Sequence, residues 1–367
     1  MGSNLRIVIC GLSITSAWGN GHATTYRGLI RELAKRGHDV LFLERDVPWY
    51  ASNRDMTEFP FCTVRLYSSL TELRDRFTEE IRHADVVMVG SYVPQGAQVG
   101  KWVLENASNL TAFYDIDTPV TLGRIRRNDI EYLTREQISQ YGLYLSFTGG
   151  LTLRHLEHRY GARCARALYC SVDPDQYSPR TTKMEFDLGY LGTFSPDRQQ
   201  ALDELLLQPA WRWQQAAFVV AGAQYPLTIQ WPQNVMRIEH VVPSRHSQFY
   251  GQQRFTLNLT RSDMRRAGYC PSVRLFEAAA CGTPIISDYW DGLGMFFEIG
   301  REIIVAQDAN EVLHILKTTS EQERLEIARR ARGRVLSEHT AAQRSAQLEQ
   351  YLQEAATTHQ RGKQLAG

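Results

Sequence analysis

The chain has 367 residues, of which 43% are apolar and 22% are charged, and its formal net charge is +1. A balance so close to neutral gives no case for nucleic acid or an anionic membrane surface as a general partner. A chain of this length is too long for one ordinary hydrophobic core, so two domains are expected.

The cysteines and the apolar runs favour a cytoplasmic location. The six cysteines lack the spacing of a metal site, and most of them lie in apolar segments or beside helix ends. Small buried thiols are typical of a reducing compartment. Residues 5–10 already form an apolar strand, so we expect no signal peptide. No apolar run reaches the length of about 20 residues that spans a bilayer.

The first half of the chain alternates strands with helices. A strand at residues 5–10 opens into a glycine-containing loop, which a helix at 23–36 and a strand at 40–43 follow. Further strands are predicted at 84–89, 110–114, 143–147 and 167–170. This alternation predicts the parallel sheet of a Rossmann-like domain, in which ligands bind at the carboxyl ends of the strands.

The loop after the first strand is a candidate ligand site. Gly19 and Gly21 lack the spacing of a dinucleotide fingerprint, which argues against NAD binding. They leave room for a ligand to approach the start of the next helix. His22 at that start either donates to a substrate oxygen, acts as an acid or base, or simply caps the helix.

Two aspartates, Asp115 and Asp117, follow the strand at 110–114. An Asp-x-Asp pattern in this place can bind a divalent metal, contact a substrate or form an ordinary turn. We expect only one of the two to meet the ligand. Asp117 is favoured as the residue that contacts the acceptor or the transferred group, with Asp115 as the alternate.

The second half repeats the pattern after a polar segment at 178–185. Strands are predicted at 188–191, 218–221, 235–238, 255–259, 284–286 and 302–305, and a helical region at 321–356 is broken near 337–340. Within this half, a helix at 273–280 follows a Gly-Tyr-x-Pro-Ser turn and ends before Gly282. Ser272 is expected to cap that helix. Its first turn, together with Arg274, then forms an anion site with Glu277 on the same helical face.

The run from Ser272 to Pro284 resembles the donor-sugar signature of GT-B glycosyltransferases of the group 1 type. It is most similar to the CgeB-like (spore-maturation) family, which carries Ser-x-Arg-x-Phe-Glu. The resemblance implies the GT-B fold, an α/β architecture of two Rossmann-like domains whose parallel sheets face a central cleft. It implies an acceptor domain at 1–172 and a donor domain at 186–335. A C-terminal helix at about 340–360 would cross back to the first domain.

The resemblance also implies roles for individual residues. Glu277 would hold the ribose of a sugar nucleotide, and the start of its helix would bind the diphosphate. The full set of donor-binding residues implied in this way is Glu277, Arg274, Arg198, Ser272, Val273, Tyr269, Val241, Gly21 and Gly292. Two positions depart from the family, because Tyr269 replaces a second glutamate of many relatives and Thr193 replaces a basic residue.

The implied activity is transfer of a sugar from a nucleotide-diphosphate sugar, with a UDP-sugar as the expected donor, to an unidentified glycan, small molecule or protein. The resembled family retains the anomeric configuration and uses arginines and helix dipoles rather than an obligatory metal, so no cofactor and no metal are expected. Two alternatives stay open. One is a GT-B-fold epimerase or hydrolase of sugar nucleotides, and the other is a non-catalytic protein that binds them.

Overall fold

The structure is a computed structural model that describes residues 4–19, 21–129 and 131–366, with side chains as far as residue 357. The chain forms two compact units. Unit 1 comprises the residues up to Cys170 together with those from Ala341 onward, and unit 2 is Ser171–Thr340. Residues 173–185, which lie between the two domains predicted from the sequence, are therefore part of unit 2.

Unit 1 is built on a sheet of parallel strands with helices in the connections. Its strands are β1 (Arg6–Gly11), β2 (Asp39–Arg45), β3 (Thr63–Tyr67), β4 (Val86–Gly90), β5 (Leu110–Asp115), β6 (Leu143–Ser146) and β7 (Ala165–Ala167). Its helices are α1 (His22–Lys35), α2 (Pro48–Ala51), α3 (Leu70–His83), α4 (Gly96–Asn106), α5 (Thr118–Arg126), α6 (Arg135–Ile138) and α7 (Leu151–Tyr160). The strand order is β3-β2-β1-β4-β5-β6-β7.

The burial of each strand explains how well its sequence pattern predicts it. Strand β4 is buried at every residue, so it appears in the sequence as an unbroken apolar run. Strand β3 lies at the edge of the sheet, and only Tyr67 of its five residues is buried. Because β3 has no apolar run, the sequence analysis contains no strand at this position.

Unit 2 is built on a second parallel sheet. Its strands are β8 (Phe186–Leu191), β9 (Phe218–Ala221), β10 (Val235–Ile238), β11 (Gln253–Asn258), β12 (Ile285–Ser287) and β13 (Ile304–Val305). Its helices are α8 (Pro196–Leu202), α9 (Gln208–Arg212), α10 (His246–Gly251), α11 (Ser262–Ala267), α12 (Val273–Ala280), α13 (Ala309–Thr318) and α14 (Glu321–Glu338). The strand order is β10-β9-β8-β11-β12-β13.

Helix α12 ends as its sequence predicts. Gly282 has a φ of +73°, in the left-handed region that favours glycine. Its N–H donates to the carbonyl of Ala279 at 3.0 Å, and the N–H of Thr283 donates to the carbonyl of Ala278 at 3.0 Å. These two bonds form a Schellman motif, which satisfies the last carbonyls of the helix and turns the chain directly into β12.

The last helix, α15 (Ala341–Ala366), returns to unit 1 and packs against α1. Glu349 of α15 binds the guanidinium of Arg36, and its carboxylate lies 2.6 Å from Nε2 of His38. Tyr351 donates to the carbonyl of Ala167, at the end of β7, at 3.2 Å. Across the described residues, no helix is both long enough and apolar enough to cross a membrane.

Candidate functional site

Each sheet reverses its strand order at one point. In unit 1 the order changes direction between β1 and β4, and in unit 2 it changes between β8 and β11. Loops on either side of such a point run in opposite directions and leave a crevice outside the carboxyl ends of the strands, where parallel α/β sheets bind ligands. These two crevices are the places to look for functional side chains.

Arg274 occupies the crevice of unit 2. Its Nη1 donates to the carbonyl of Leu191, at the end of β8, at 2.9 Å. Its Nη2 donates to the carbonyl of Leu259, just after β11, at 3.1 Å. Its Nε donates to Oγ of Ser272 at 3.1 Å. Arg274 therefore joins the two central strand ends and supplies a fixed positive charge, although the protein already uses most of its donors.

Ser272 does not cap α12, so that prediction is wrong. The residue stands at the N-cap position with extended backbone, but its side chain makes no capping hydrogen bond. Its hydroxyl instead accepts from Arg274, because the guanidinium folds back over the start of the helix. Val273, the first residue of α12, is half-buried beside it.

Arg198 lies near the same crevice, in the first turn of α8. Its Nη2 donates to the carbonyl of Thr193 at 2.6 Å. Among the described residues no carboxylate lies within ion-pair distance of it, and its Nε has no hydrogen-bond partner. Burial lowers the pKa of the Arg198 guanidinium, and the positive charges of Arg274 and Arg261 lower it further. A buried guanidinium that lies near other positive charges and has no carboxylate partner among the described residues is well suited to bind an anion.

Glu277, the predicted ribose ligand, is buried, with 3% of the residue exposed. Its Oε2 accepts from the hydroxyl of Tyr250 at 3.4 Å and lies 3.8 Å from Nδ1 of His246. The same His246 contacts the carbonyl of Val241, the predicted base-binding residue, through Nε2 at 3.0 Å. The two predicted nucleoside contacts are thus joined by one imidazole ring.

Tyr269 and Gly292 lie against each other. Tyr269 has a φ of +49° and donates its N–H to the carbonyl of Asp291 at 2.6 Å. Gly292 has a φ of +94°, and a Cβ placed on it would lie 2.5 Å from the ring of Tyr269. The two loops after α11 and β12 are therefore locked together, and glycine is required at the contact.

The crevice of unit 1 brings together side chains from three adjacent strand ends. His22 begins α1 after β1, Tyr92 follows β4, and Asp117 follows β5. The hydroxyl of Tyr92 donates to Oδ2 of Asp117 at 3.0 Å, and the ring centroids of His22 and Tyr92 are 5.5 Å apart. Burial lowers the pKa of His22, while the Asp117 carboxylate acts in the opposite direction. The cluster can accept or donate protons.

Asp115 and Asp117 occupy different environments. Asp115 is fully buried, and its carboxyl accepts from Tyr144 at 2.5 Å and from Thr121 at 2.8 Å. Burial raises its pKa to about 6. Because its oxygens face the protein interior, Asp115 holds the turn, and the half-buried Asp117 is the aspartate placed to meet a ligand. Within the described residues no three His, Cys, Asp or Glu side chains form a group that could bind a metal.

The loop before His22 is held by a residue that the sequence analysis missed. Glu44, at the end of β2, is 1% exposed. Its carboxylate accepts from the N–H groups of Ile14 and Thr15 at 2.7 and 3.1 Å, and from the hydroxyls of Ser13 and Thr15 at 3.0 and 2.6 Å. A charged residue inside an apolar strand was the available signal. Farther along the loop, Asn20 lies outside the described residues, and Gly21 is exposed at the N-cap of α1.

Comparisons with known proteins agree with this geometry. Residues 198–350 match a family model described as glycosyl transferase-like. Anabaena HepE in complex with UDP and glucose is 13% identical, with 96% of this chain and 100% of that chain covered and a TM-score of 0.69. A Thermosynechococcus elongatus sucrose-phosphate synthase is also 13% identical, with 96% of this chain and 99% of that chain covered and a TM-score of 0.69. No curated protein sequence matches the chain.

A further structural match has a TM-score of 0.73. It is an alpha-glucosyltransferase in complex with UDP-glucose and DNA containing an abasic site, 12% identical, with 96% of this chain and 100% of that chain covered. The chain has the GT-B fold. The fold predicted from the sequence is confirmed, since these likenesses extend over nearly the whole chain. The family match over residues 198–350 favours a glycosyltransferase over an epimerase, a hydrolase or a binding protein.

Proposed function

We propose that the chain transfers a sugar from a UDP-sugar to an acceptor, with unit 2 binding the donor. The observation that carries the proposal is the arginine cluster at the strand-order reversal of unit 2, where Arg198 has no carboxylate partner among the described residues. A diphosphate is an anion of the size and charge that such a cluster attracts. UDP or UDP-glucose is named in complexes of the GT-B relatives, which supports uridine as the donor base.

Each predicted donor residue then has a role. Arg198 and Arg274 stabilise the charge that develops on the departing diphosphate, together with the start of α12. The carboxylate of Glu277 accepts from the ribose hydroxyls, and the Val241 segment holds the base. The two loops that contain Tyr269 and Gly292 cover the diphosphate.

The acidic and imidazole groups of unit 1 are proposed to act on the acceptor. Asp117 accepts a hydrogen bond from the attacking hydroxyl or from the transferred sugar, and His22 contributes an imidazole whose pKa is lowered by burial. Gly21 leaves room for a ligand at the helix start. The net charge of +1 gives no support to a nucleic acid acceptor, so we propose a glycan, a small molecule or a protein.

Three finer properties belong to the same proposal. Transfer proceeds with retention of the anomeric configuration, and NMR of the product anomer tests this directly because inversion would refute it. The reaction needs no metal, since arginines are present to neutralise the diphosphate. The resemblance of residues 272–277 to the CgeB-like family and the expected cytoplasmic location stay predictions from the sequence.

A thermal-shift screen against UDP-, GDP-, dTDP- and CMP-sugars tests the donor site. A ligand that binds the native state raises the melting temperature by mass action, so we expect a rise with UDP-sugars. Glu277→Gln should abolish the rise, because it removes the ribose-binding charge. Glu323→Gln, an exposed residue of α14, is the matched control and should keep it. If none of the sugar nucleotides raises the melting temperature, the proposed site is contradicted. It is also contradicted if the rise in Glu277→Gln equals that of the wild type.

A further inference from the structure

Tyr92 has a backbone conformation that its side chain does not favour. Its φ is +64°, in the left-handed region, where a bulky residue other than glycine is a genuine outlier. The conformation is unfavourable and persists only where surrounding contacts impose it. Such outliers cluster at functional sites, and this one lies where the strand order of unit 1 reverses.

The contacts that hold this turn come from the end of β5. The turn after β4 is attached to β5, because the N–H of Ser91 donates to the carbonyl of Tyr114 at 3.0 Å and Oγ of Ser91 accepts from the N–H of Ile116 at 3.1 Å. The sign of φ then decides the direction of the Tyr92 side chain. With φ positive, its hydroxyl reaches the carboxylate of Asp117 at 3.0 Å.

The ring of Tyr92 is fixed from two sides. Its centroid is 5.5 Å from that of His22, in an edge-on arrangement, and 4.8 Å from that of Tyr132. The ring therefore contacts the imidazole while the hydroxyl holds the carboxylate. One side chain sets the orientation of both candidate acid–base groups of unit 1.

We propose that Tyr92 is a positioning residue for Asp117 and His22 in the transfer reaction. This inference rests on the proposed glycosyltransferase function and adds to it a residue that neither the sequence motifs nor the family match includes. The backbone conformation directs the phenol at Asp117. A packing role alone would need the ring but not the hydroxyl.

Loss of the hydroxyl should have an effect that can be measured. A phenol that donates to a carboxylate holds that carboxylate in one orientation, so its removal should misplace Asp117 relative to the reacting groups. Replacing Tyr92 with Phe keeps the ring that contacts His22 and Tyr132, so a change in kcat would report on the lost hydroxyl.

Tyr92→Phe tests the proposal, with Tyr67→Phe as the matched control. Tyr67 is a buried tyrosine at the end of β3 whose hydroxyl has no hydrogen-bond partner among the described residues. In Tyr92→Phe we expect kcat to fall about 10- to 100-fold with the donor KM within about twofold. The melting temperature should not fall. An unchanged kcat would overturn the proposal.

A second measurement keeps the inference testable apart from activity. If the wild-type chain turns over no sugar nucleotide, the proposed function fails while the geometry of unit 1 can still be examined. NMR titration of ¹³C-labelled histidines, with His22 assigned from a His22→Asn variant, reports the charge of its neighbour Asp117. The His22 titration should move in Tyr92→Phe and not in Tyr67→Phe. Identical curves in the wild type and Tyr92→Phe would refute the positioning role.

Discussion

The two strand-order reversals of this chain share one topology and differ in chemistry. In unit 1 the reversal gathers Asp117, His22 and the phenol of Tyr92. In unit 2 it gathers Arg274 and Arg198, whose positive charges interact. A parallel sheet fixes where a ligand can approach, and the few residues that follow its central strands decide whether that place attracts anions or exchanges protons. The net charge of +1 conceals this division, because the contrast lies between two local sites.

The two units also resemble each other in one respect. Each has a buried aspartate at a strand end, Asp115 as the last residue of β5 and Asp288 directly after β12, and burial raises the pKa of each to about 6. The carboxyl of Asp288 accepts from the N–H of Thr260 at 3.1 Å and from its hydroxyl at 2.9 Å. Both aspartates hold a turn beside the functional crevice and do not enter it.

The largest expected effect comes from removing the charge that distinguishes unit 1. Asp117→Asn should lower kcat about 100- to 10,000-fold, because the acceptor loses its carboxylate partner. The UDP-induced rise in melting temperature should stay at the wild-type value, since the charged donor residues Glu277, Arg274 and Arg198 lie in unit 2. Steady-state kinetics and thermal denaturation check both parts. A kcat within about threefold of the wild type would show that Asp117 does not contact the reacting groups.

In unit 2 we expect a smaller effect, in which UDP binding becomes weaker and the ligand-free protein becomes more stable. Arg198→Gln should weaken UDP binding about 10- to 100-fold, because a charge-assisted bond to phosphate is lost. The ligand-free protein should melt at a higher temperature, since an unpaired cation next to Arg274 is removed. Calorimetric titration and thermal denaturation measure the two quantities. The control is Arg301→Gln, which removes an exposed arginine paired with Glu298 and should change neither.

The buried aspartates Asp115 and Asp288, one in each unit, predict that the stability of the protein depends on pH. Because burial raises the pKa of Asp115 to about 6 from 3.8, the folded state binds a proton more tightly than the unfolded state. The resulting stability is fully present below about pH 4 and is lost as the pH rises through 6, on the order of 3 kcal/mol. Asp288 behaves in the same way.

Denaturant unfolding at pH 4, 5 and 7.5 measures this dependence. Asp115→Asn and Asp288→Asn should each remove part of the loss of stability, because an amide does not titrate. Each variant affects its own unit, so the two units can be followed separately. Variants that keep the full wild-type pH dependence would show that the two carboxyls titrate normally.

The smallest expected effect concerns metal. EDTA should change kcat less than about twofold, because arginines can stabilise the leaving diphosphate in place of a cation. Turnover with and without EDTA and added Mg²⁺ checks this. A loss of activity that Mg²⁺ restores would make Asp117 a metal ligand and would reduce the contrast between the two crevices.

The sequence predicts much of the fold because its information is local. Buried strands such as β4 are apolar runs, and α12 ends where Gly282 predicts. The edge strand β3 was missed because it alternates and buries little. Strand bounds differ from the predictions by a few residues, since β8 begins at Phe186 and not at 188, and β13 begins at Ile304 and not at 302.

The candidate sites were harder to predict, because they depend on which strands become neighbours. A motif identified Arg274 and Glu277, yet it could not reveal that Arg274 binds carbonyls of two strands far apart in sequence. Tyr92 and Glu44 were missed for the same reason. Their partners lie 25 or more residues away, and only the strand order brings them together.

Helix α15 has a consequence for the order in which the molecule is made. Unit 1 is discontinuous, since its last helix is translated after all of unit 2. During synthesis the Rossmann sheet of unit 1 emerges first but lacks the helix that covers α1 and binds Arg36 and His38. Unit 2 is continuous, so it can finish folding before α15 of unit 1 has been synthesised. The part of the chain that the ribosome makes first is thus the part that is completed last.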